Sequence, residues 1–173
     1  MGTCPEHTYL IIQAPNKPNA NGCNYMEYRD EDIARILKST RVVAIIGASR
    51  NLEKDAGKVP AFLKEKGYRI IPINPVANEI LGEKAYPSLK DIPLDLAKEI
   101  DVVDVFRPPR EADVVVDQVL DLASRTGRKP ILWFQLGTHT PEAVERARRA
   151  GLKVVYNKCM MAEYSRLESQ GLI

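Results

Sequence analysis

The sequence predicts an α/β domain with a doubly wound, mostly parallel sheet of five to six strands and helices on both faces. The chain has 173 residues, which suits one well-buried core better than two. Short apolar runs rich in β-branched residues alternate with amphipathic segments. The runs are continuously apolar, a pattern typical of strands buried on both faces of a parallel sheet, and such strands need crossover connections.

Five such runs predict the main strands. They lie at residues 41–46, 68–73, 101–106, 130–135 and 153–156. The second run stops at Asn74-Pro75, because proline cannot donate to a strand ladder and restricts the residue before it. A further short edge strand is expected at 84–86.

The intervening segments predict the helices. The first has an acidic opening turn at 30–32, which suits the positive end of a helix dipole. The second spans 55–67, with Asp55 as its cap and Gly67 at its end. Further helices are predicted at 112–127, at 140–151 and from about residue 160.

The composition favours an ordinary folded domain after a short tail. Residues 1–25 are rich in Pro, Asn and Gly and lack the apolar stretch of a signal peptide, so they are expected to form a poorly ordered tail. Residues 26–173 are expected to form the domain. The chain is 45% hydrophobic and 28% charged, values far from those of disordered proteins.

Charge and cysteine content limit the function classes. The net charge of +2 predicts no general attraction to nucleic acid or to an anionic membrane surface. The apolar runs are too short to span a bilayer. Three cysteines without a Cys-x-x-Cys pair fit neither a disulfide framework nor a zinc site, and they favour a reducing cytoplasm.

Candidate binding residues follow the predicted strands, because ligands of open α/β sheets bind beyond the carboxyl ends of the strands. The segments are Gly47-Ala48-Ser49-Arg50, Asn74-Pro75, Phe106-Arg107-Pro108-Pro109, Gln135-Leu136-Gly137 and Asn157-Lys158-Cys159.

The first segment resembles an anion cradle. Gly47, Ala48 and Ser49 let backbone N–H groups approach a phosphate closely, at the start of the next helix. Lys58 in the first turn of that helix would add an ammonium group, and Arg50 is a second candidate cation. The alternative is a tight turn followed by a solvated surface lysine.

The segment is not a dinucleotide fingerprint. Positions 47, 49 and 52 are Gly, Ser and Leu, and Asn74 stands where an acid would contact the ribose of NAD. The pattern therefore argues against NAD.

Five stretches in order carry a family resemblance. They are Val43-Ala44-Ile45-Ile46-Gly47-Ala48-Ser49, Gly67-Tyr68-Arg69-Ile70-Ile71-Pro72-Ile73-Asn74-Pro75, Asp104-Val105-Phe106-Arg107, Trp133-Phe134-Gln135-Leu136-Gly137 and Asn157-Lys158-Cys159-Met160-Met161. From about residue 30 to 167 the chain resembles the small CoA-binding proteins. Their Rossmann-like fold is similar to the nucleotide-binding domain of the succinyl-CoA synthetase alpha subunit.

The resemblance implies roles for the phosphate end of the site. Gly47, Ala48, Ser49 and Lys58 would take the phosphates of coenzyme A. Asn74 and Pro75 would border the nucleotide.

The resemblance also implies a groove wall. Phe106 and Arg107 would line the groove for the nucleotide or the pantetheine arm, and Pro108 would stiffen it. A plain core role for Phe106 is an equal alternative.

The last two segments add further candidates. Gln135 and Gly137 are expected at the site, whereas Trp133 is expected in the core. The Cys159 thiol would face the thiol of CoA, or Cys159 would be a buried small hydrophobe.

The sequence contains no convincing catalytic machinery. Its two histidines, His7 and His139, stand apart from any Ser–His–Asp pattern. The leading hypothesis is a CoA-binding or acyl-CoA-binding module without turnover of its own. The alternatives are a subunit or fragment of an ADP-forming acyl-CoA ligase, and an NAD-binding regulator. A second copy or a ligase subunit is the expected protein partner.

Overall fold

The computed structural model describes residues 27–173. The predicted tail at 1–25 lies outside the described residues. The strands are β1 (Val42–Ile46), β2 (Arg69–Ile73), β3 (Glu79–Ile80), β4 (Glu83–Lys84), β5 (Val102–Val105), β6 (Ile131–Phe134) and β7 (Val154–Val155). The helices are α1 (Asp30–Ser39), α2 (Asp55–Glu65), α3 (Leu94–Ala97), α4 (Ala112–Thr126), α5 (Pro141–Arg149) and α6 (Met160–Ser169). Two 3₁₀ turns lie at Leu89–Asp91 and Pro109–Glu111.

The main sheet is five-stranded and parallel throughout, in the order β2-β1-β5-β6-β7. Strand β1 is an interior strand and pairs with β2 on one side and β5 on the other. From β1 the chain passes to β2 on one side, and it later crosses to β5 on the other side of β1. Ligands of doubly wound folds bind at such a reversal of strand order.

Both faces of the sheet are covered by helices, so the predicted α/β fold class is confirmed. One core layer packs α4 and α5 against alternate residues of the strands, among them Val103 and Phe134. The other packs α1, α2 and α6 against the opposite residues, among them Ile45 and Trp133. The central strands are buried on both sides, which explains why their sequences are continuously apolar.

Residues 84–86 do not form the single edge strand that the sequence predicts. Lys84 belongs to β4, which pairs antiparallel with β3 in a separate two-stranded sheet. Leu81 and Gly82 between them both have positive φ, of 53° and 75°, as in the tight turns that suit hairpins. Tyr86 makes only an isolated parallel bridge with Ile73.

The ends of α2 confirm one sequence expectation and correct another. Gly67 follows the helix with φ of 92° and terminates it as expected. Asp55 is not the cap, because Lys54 occupies that position in extended geometry and Asp55 is the first helical residue. The carboxylate of Asp55 therefore lies in the first turn, where a negative charge suits the helix dipole.

None of the helices within residues 27–173 has the length and hydropathy required to cross a membrane.

The segment between β2 and β5 is attached to the domain by Arg125 of α4. The Arg125 guanidinium donates to the carbonyl oxygens of Leu89 at 3.0 Å, Lys90 at 3.1 Å and Ile92 at 3.2 Å. The Leu89 carbonyl also accepts the Ile92 N–H of the 3₁₀ turn, and Arg125 adds a charged donor to it and to the other two carbonyls.

We expect Arg125→Ala to lower the free energy of unfolding by about 2 kcal/mol, because charged hydrogen bonds to partly buried carbonyls are lost. Urea denaturation measures the change. Arg149→Ala is the control, since its exposed pair with Glu145 on α5 is worth about 0.5 kcal/mol or less. Equal losses in the two variants would contradict the attachment role.

Candidate functional site

The turn after β1 requires glycine for two reasons. Gly47 has φ of 83°, and its N–H donates to the Ile73 carbonyl at 3.0 Å. A Cβ on Gly47 would lie 2.9 Å from Cδ of Arg107 and 3.0 Å from the carbonyl oxygen of Phe106. The backbone at the end of β1 therefore packs directly beneath the segment that follows β5.

The loop after this turn is shaped by its own polar groups. The Ser49 N–H donates to the Ala56 carbonyl at 2.9 Å, and the Ser49 hydroxyl accepts from the Asn51 N–H at 3.1 Å. The Asn51 side chain in turn accepts from the Glu53 N–H at 2.9 Å. In this conformation Ser49 shapes the predicted cradle and does not present a free amide to it.

Gly57 is a site residue that sequence reasoning missed. It lies inside α2, is buried, and faces the loop so closely that a Cβ would lie 2.2 Å from the Asn51 carbonyl oxygen and 3.1 Å from that of Ser49. A glycine within a helical pattern was the available signal, because such a residue often marks a close packing contact.

The two candidate cations of the cradle are exposed. Arg50 lies in the loop, and Lys58 is the fourth residue of α2. Neither side chain makes an ion pair or hydrogen bond within the described part of the chain. Both charges are therefore available to an anion at the start of α2.

Asn74 joins the ends of β1 and β2. Its Nδ2 donates to the Ala48 carbonyl at 3.0 Å. Its Oδ1 accepts from the N–H groups of Val76 at 2.8 Å and Ala77 at 2.9 Å. Pro75 between them is exposed. The Asn74 amide is thus occupied by backbone partners, and Asn74 fixes the relative position of the two loops.

The segment after β5 presents a cation that already has a partner. The Arg107 guanidinium donates to both carboxylate oxygens of Glu111, at 2.7 and 2.8 Å, and holds the pKa of Glu111 below its usual value. Phe106 is partly buried and packs against the layer of α1, α2 and α6. Pro108 is also partly buried and precedes the 3₁₀ turn at Pro109–Glu111.

Gln135 is turned inward. Only 4% of it is exposed, and its Nε2 donates to Oδ1 of Asp104 at 2.8 Å. Asp104 lies in β5 and is fully buried, and its Oδ2 has no hydrogen-bond partner. Burial raises the pKa of Asp104 to about 7, against the opposing effect of the Gln135 hydrogen bond. An acid within an apolar strand run was the sequence signal for this pair.

The loops after β6 and β7 are joined to each other. The Gly137 N–H donates to Oδ1 of Asn157 at 3.2 Å. Trp133 is fully buried, as expected, and its indole N–H donates to the Lys158 carbonyl at 2.8 Å. Cys159 precedes α6 and is partly exposed. It is therefore neither fully buried, as a core residue would be, nor fully open to a ligand.

The candidate residues therefore form two connected groups at the carboxyl ends of the strands. One group comprises the segments after β1, β2 and β5, joined through Gly47 and Asn74. The other comprises the segments after β6 and β7, joined through Gly137 and Asn157. Within residues 27–173 no cluster of three or more His, Cys, Asp or Glu side chains is arranged to hold a metal ion.

The sequence matches the CoA binding domain family CoA_binding_2 over residues 41–165, which include all seven strands. The chain belongs to this family. The matched region begins just before β1 and ends within α6, so it contains both groups of candidate residues.

The relatives of this family member include small proteins and large enzymes. It is 30% identical to uncharacterized protein YneT of Bacillus subtilis over 134 residues, which cover 78% of this chain and 93% of YneT. A hypothetical protein of Pyrococcus horikoshii OT3 has a solved structure with 40% identity and a TM-score of 0.72, covering 90% of this chain and 99% of that one. An ADP-forming acetate–CoA ligase of Archaeoglobus fulgidus is 36% identical over 97 residues, which cover 55% of this chain but only 13% of the ligase.

We expect Gly57→Ala to lower the free energy of unfolding by about 2 kcal/mol, measured by urea denaturation. Alanine usually stabilises a helix interior by about 1 kcal/mol relative to glycine, so the contact with Asn51 must reverse the sign. A gain in stability would contradict the packing role.

Gly67→Ala is the matched control. Its Cβ would meet no atom within 4 Å, so only the strain of its positive φ should appear, at a cost of about 1 kcal/mol. The loop after β1 should be unchanged in this variant.

We expect Asp104→Asn to change the pH dependence of stability. A buried carboxyl with a pKa near 7 favours the fold while protonated, and this contribution is lost as pH rises from about 4, its unfolded pKa, to about 7. The free energy of unfolding of Asp104→Asn minus that of wild type should therefore rise by about 3 kcal/mol from pH 5 to pH 8.

Chemical denaturation of both proteins at both pH values gives this difference. The subtraction removes the contribution of groups that titrate equally in both proteins, such as His139. Asp95→Asn removes an exposed carboxylate and should leave the difference near zero. A pH-independent difference for Asp104→Asn would contradict the assignment.

Proposed function

We propose that this chain binds coenzyme A or an acyl-CoA at the carboxyl ends of its strands, and that it carries out no acyl transfer by itself. The observation that carries the proposal is the family match over residues 41–165, which include the whole of the main sheet and the cradle at its reversal of strand order.

The phosphate end of the ligand would lie at the loop after β1. Coenzyme A carries a diphosphate and a ribose phosphate, and such groups bind where backbone N–H groups and cations meet at a helix start. Arg50 and Lys58 supply positive charge without internal partners in the described residues. Gly47 allows this loop to lie directly against the segment after β5, since any side chain there would collide with Arg107.

The remainder of the ligand would cross the segment after β5. Phe106 offers a partly buried apolar surface for the pantetheine arm, beside Pro108. Arg107 has 43% of its side chain exposed even while paired with Glu111, so a ligand oxygen can approach it from solvent. Gln135 supports this segment from the core side, because its side chain donates to Asp104 of β5. Gly137 and Cys159 would lie beyond this segment, near the thiol end of the ligand.

The arrangement favours CoA over NAD. Binding of NAD in Rossmann folds uses an acid at the end of the second strand to hold the ribose hydroxyls. Asn74 occupies that position, and its amide is already bonded to the backbone of Ala48, Val76 and Ala77.

A second candidate function is that of a component of an ADP-forming ligase. The match to the Archaeoglobus fulgidus enzyme favours it, although this chain corresponds to only 13% of that ligase. In this case the reaction would need a partner chain for ATP and acyl-phosphate chemistry. The isolated chain would still bind CoA, and turnover of acetate, ATP and CoA would appear only after the partner is added.

We expect calorimetric titration to give a micromolar Kd for CoA or acetyl-CoA and at least tenfold weaker binding of NAD and ATP. Lys58→Ala should weaken CoA binding about tenfold, because about 1.4 kcal/mol of interaction with a phosphate is lost. Ser49→Ala should weaken it less, through a less ordered loop.

Lys153→Ala is the matched control, because Lys153 is an exposed lysine at the amino end of β7, away from the carboxyl edge. Its CoA affinity should equal that of wild type. The absence of CoA binding, or equal weakening by Lys153→Ala and Lys58→Ala, would refute the proposal.

A further inference from the structure

A separate small pocket lies beside β7, at the outer edge of the main sheet. It has a volume of about 210 Å³. Three parts of the chain enclose it: the residues before α1, the end of α5, and β7 with the segment after it. Its principal lining residues are Tyr28, Arg148, Val154, Tyr156, Asn157 and Lys158.

Two cations line the pocket. Arg148 and Lys158 lie in its walls together with the acid Glu27, and the Asp30 carboxylate interacts electrostatically with Lys158. Arg148 is held in place, because it donates to the Val154 carbonyl at 3.3 Å and its guanidinium carbon lies 5.3 Å from the Tyr156 ring centroid. Lys158 is partly buried, and its ammonium makes no ion pair or hydrogen bond within residues 27–173.

Two tyrosine rings complete the walls. Burial raises the pKa of Tyr28, and the Arg148 guanidinium partly opposes this shift, so the charge of Arg148 acts inside the pocket. On the other side, the His139 ring lies 4.9 Å from the Tyr156 ring and supports it. The pocket therefore combines a guanidinium that is held in place with aromatic walls.

The size of the pocket limits its occupant. A volume of 210 Å³ is equivalent to about seven water molecules of liquid. Pockets for drug-sized ligands begin at about 300 Å³, so this pocket is too small for a nucleotide. It has room for one tetrahedral oxyanion or one short carboxylate.

We propose that this pocket binds a small oxyanion, phosphate or carboxylate, between Arg148 and Lys158. A planar guanidinium and a mobile ammonium group together match the oxygens of such an anion.

The anion has two chemical sources. It is either a free ion or the distal carboxylate of an acyl group carried on CoA. Asn157 makes the second source accessible, because it lines the pocket and also binds the Gly137 N–H at the edge where CoA is proposed to lie.

Calorimetry with inorganic phosphate and with succinate tests the pocket without CoA. We expect millimolar binding by wild type and at least fivefold weaker binding by Lys158→Gln. Lys158→Arg should restore it. Amide resonances of residues 154–158 should shift on addition of phosphate in a heteronuclear NMR titration.

Lys153→Gln is the control variant, since it removes the same charge next to the same strand but outside the pocket. It should bind phosphate as wild type does. Lys158 is preferred to Arg148 for substitution, because Arg148 also bonds the Val154 carbonyl and its loss would disturb β7.

The source of the anion follows from a comparison of succinyl-CoA with acetyl-CoA. A tighter Kd for succinyl-CoA, abolished by Lys158→Gln, supports a carboxylate on the acyl group. Equal affinities for the two thioesters, together with phosphate binding that depends on Lys158, support a free oxyanion.

The pocket proposal is overturned if wild type binds neither phosphate nor succinate and Lys158→Gln leaves succinyl-CoA binding unchanged. It is also overturned if Lys153→Gln weakens binding as much as Lys158→Gln does. The phosphate titrations are independent of CoA affinity: failure of CoA to bind would refute the proposed function while leaving a phosphate site intact.

Discussion

Close backbone contact at the end of β1 controls the geometry of the whole carboxyl edge. The Gly47 backbone lies under Phe106 and Arg107, and its N–H is bonded to the last residue of β2. The ends of β1, β2 and β5 are thereby held close together, because Gly47 adds no side chain between the backbones. The loop after β1, the start of α2 and the segment after β5 all take their positions from this contact. Gly57 extends it by letting α2 approach the loop.

A buried polar contact likewise positions the segment that follows β6. Asp104 in β5 and Gln135 after β6 are bonded to each other inside an apolar layer. Such a pair is costly to bury, because one carboxylate oxygen has no partner. Its effect is to fix Gln135 at the end of β6, so that the next residues leave the sheet in a defined direction toward Gly137.

The sequence was sufficient to predict the main sheet, and the reasons for its failures are physical. Long β-branched runs identify buried strands, and the residues after them identify the carboxyl edge. Strands β3 and β4 have two residues each and carry no periodic signal. The position of Asp104 within an apolar run indicates burial, but its partner Gln135 follows a different strand, so the pair itself appears only in the folded structure. The pocket beside β7 joins Tyr28 to Arg148 and Lys158, which are distant in sequence.

The edges of the sheet bear on how copies of this chain can associate. Strand β7 has two residues, and the Val154 carbonyl is already taken by Arg148. At the opposite edge, Tyr86 is bonded to Pro72 and Asn74, which occupies the free side of β2 near its end. Exposed edges invite another strand to add to them, and partners on both edges oppose this. A second copy is therefore hindered from extending the main sheet at these two points, which favours a sheet that ends within each molecule.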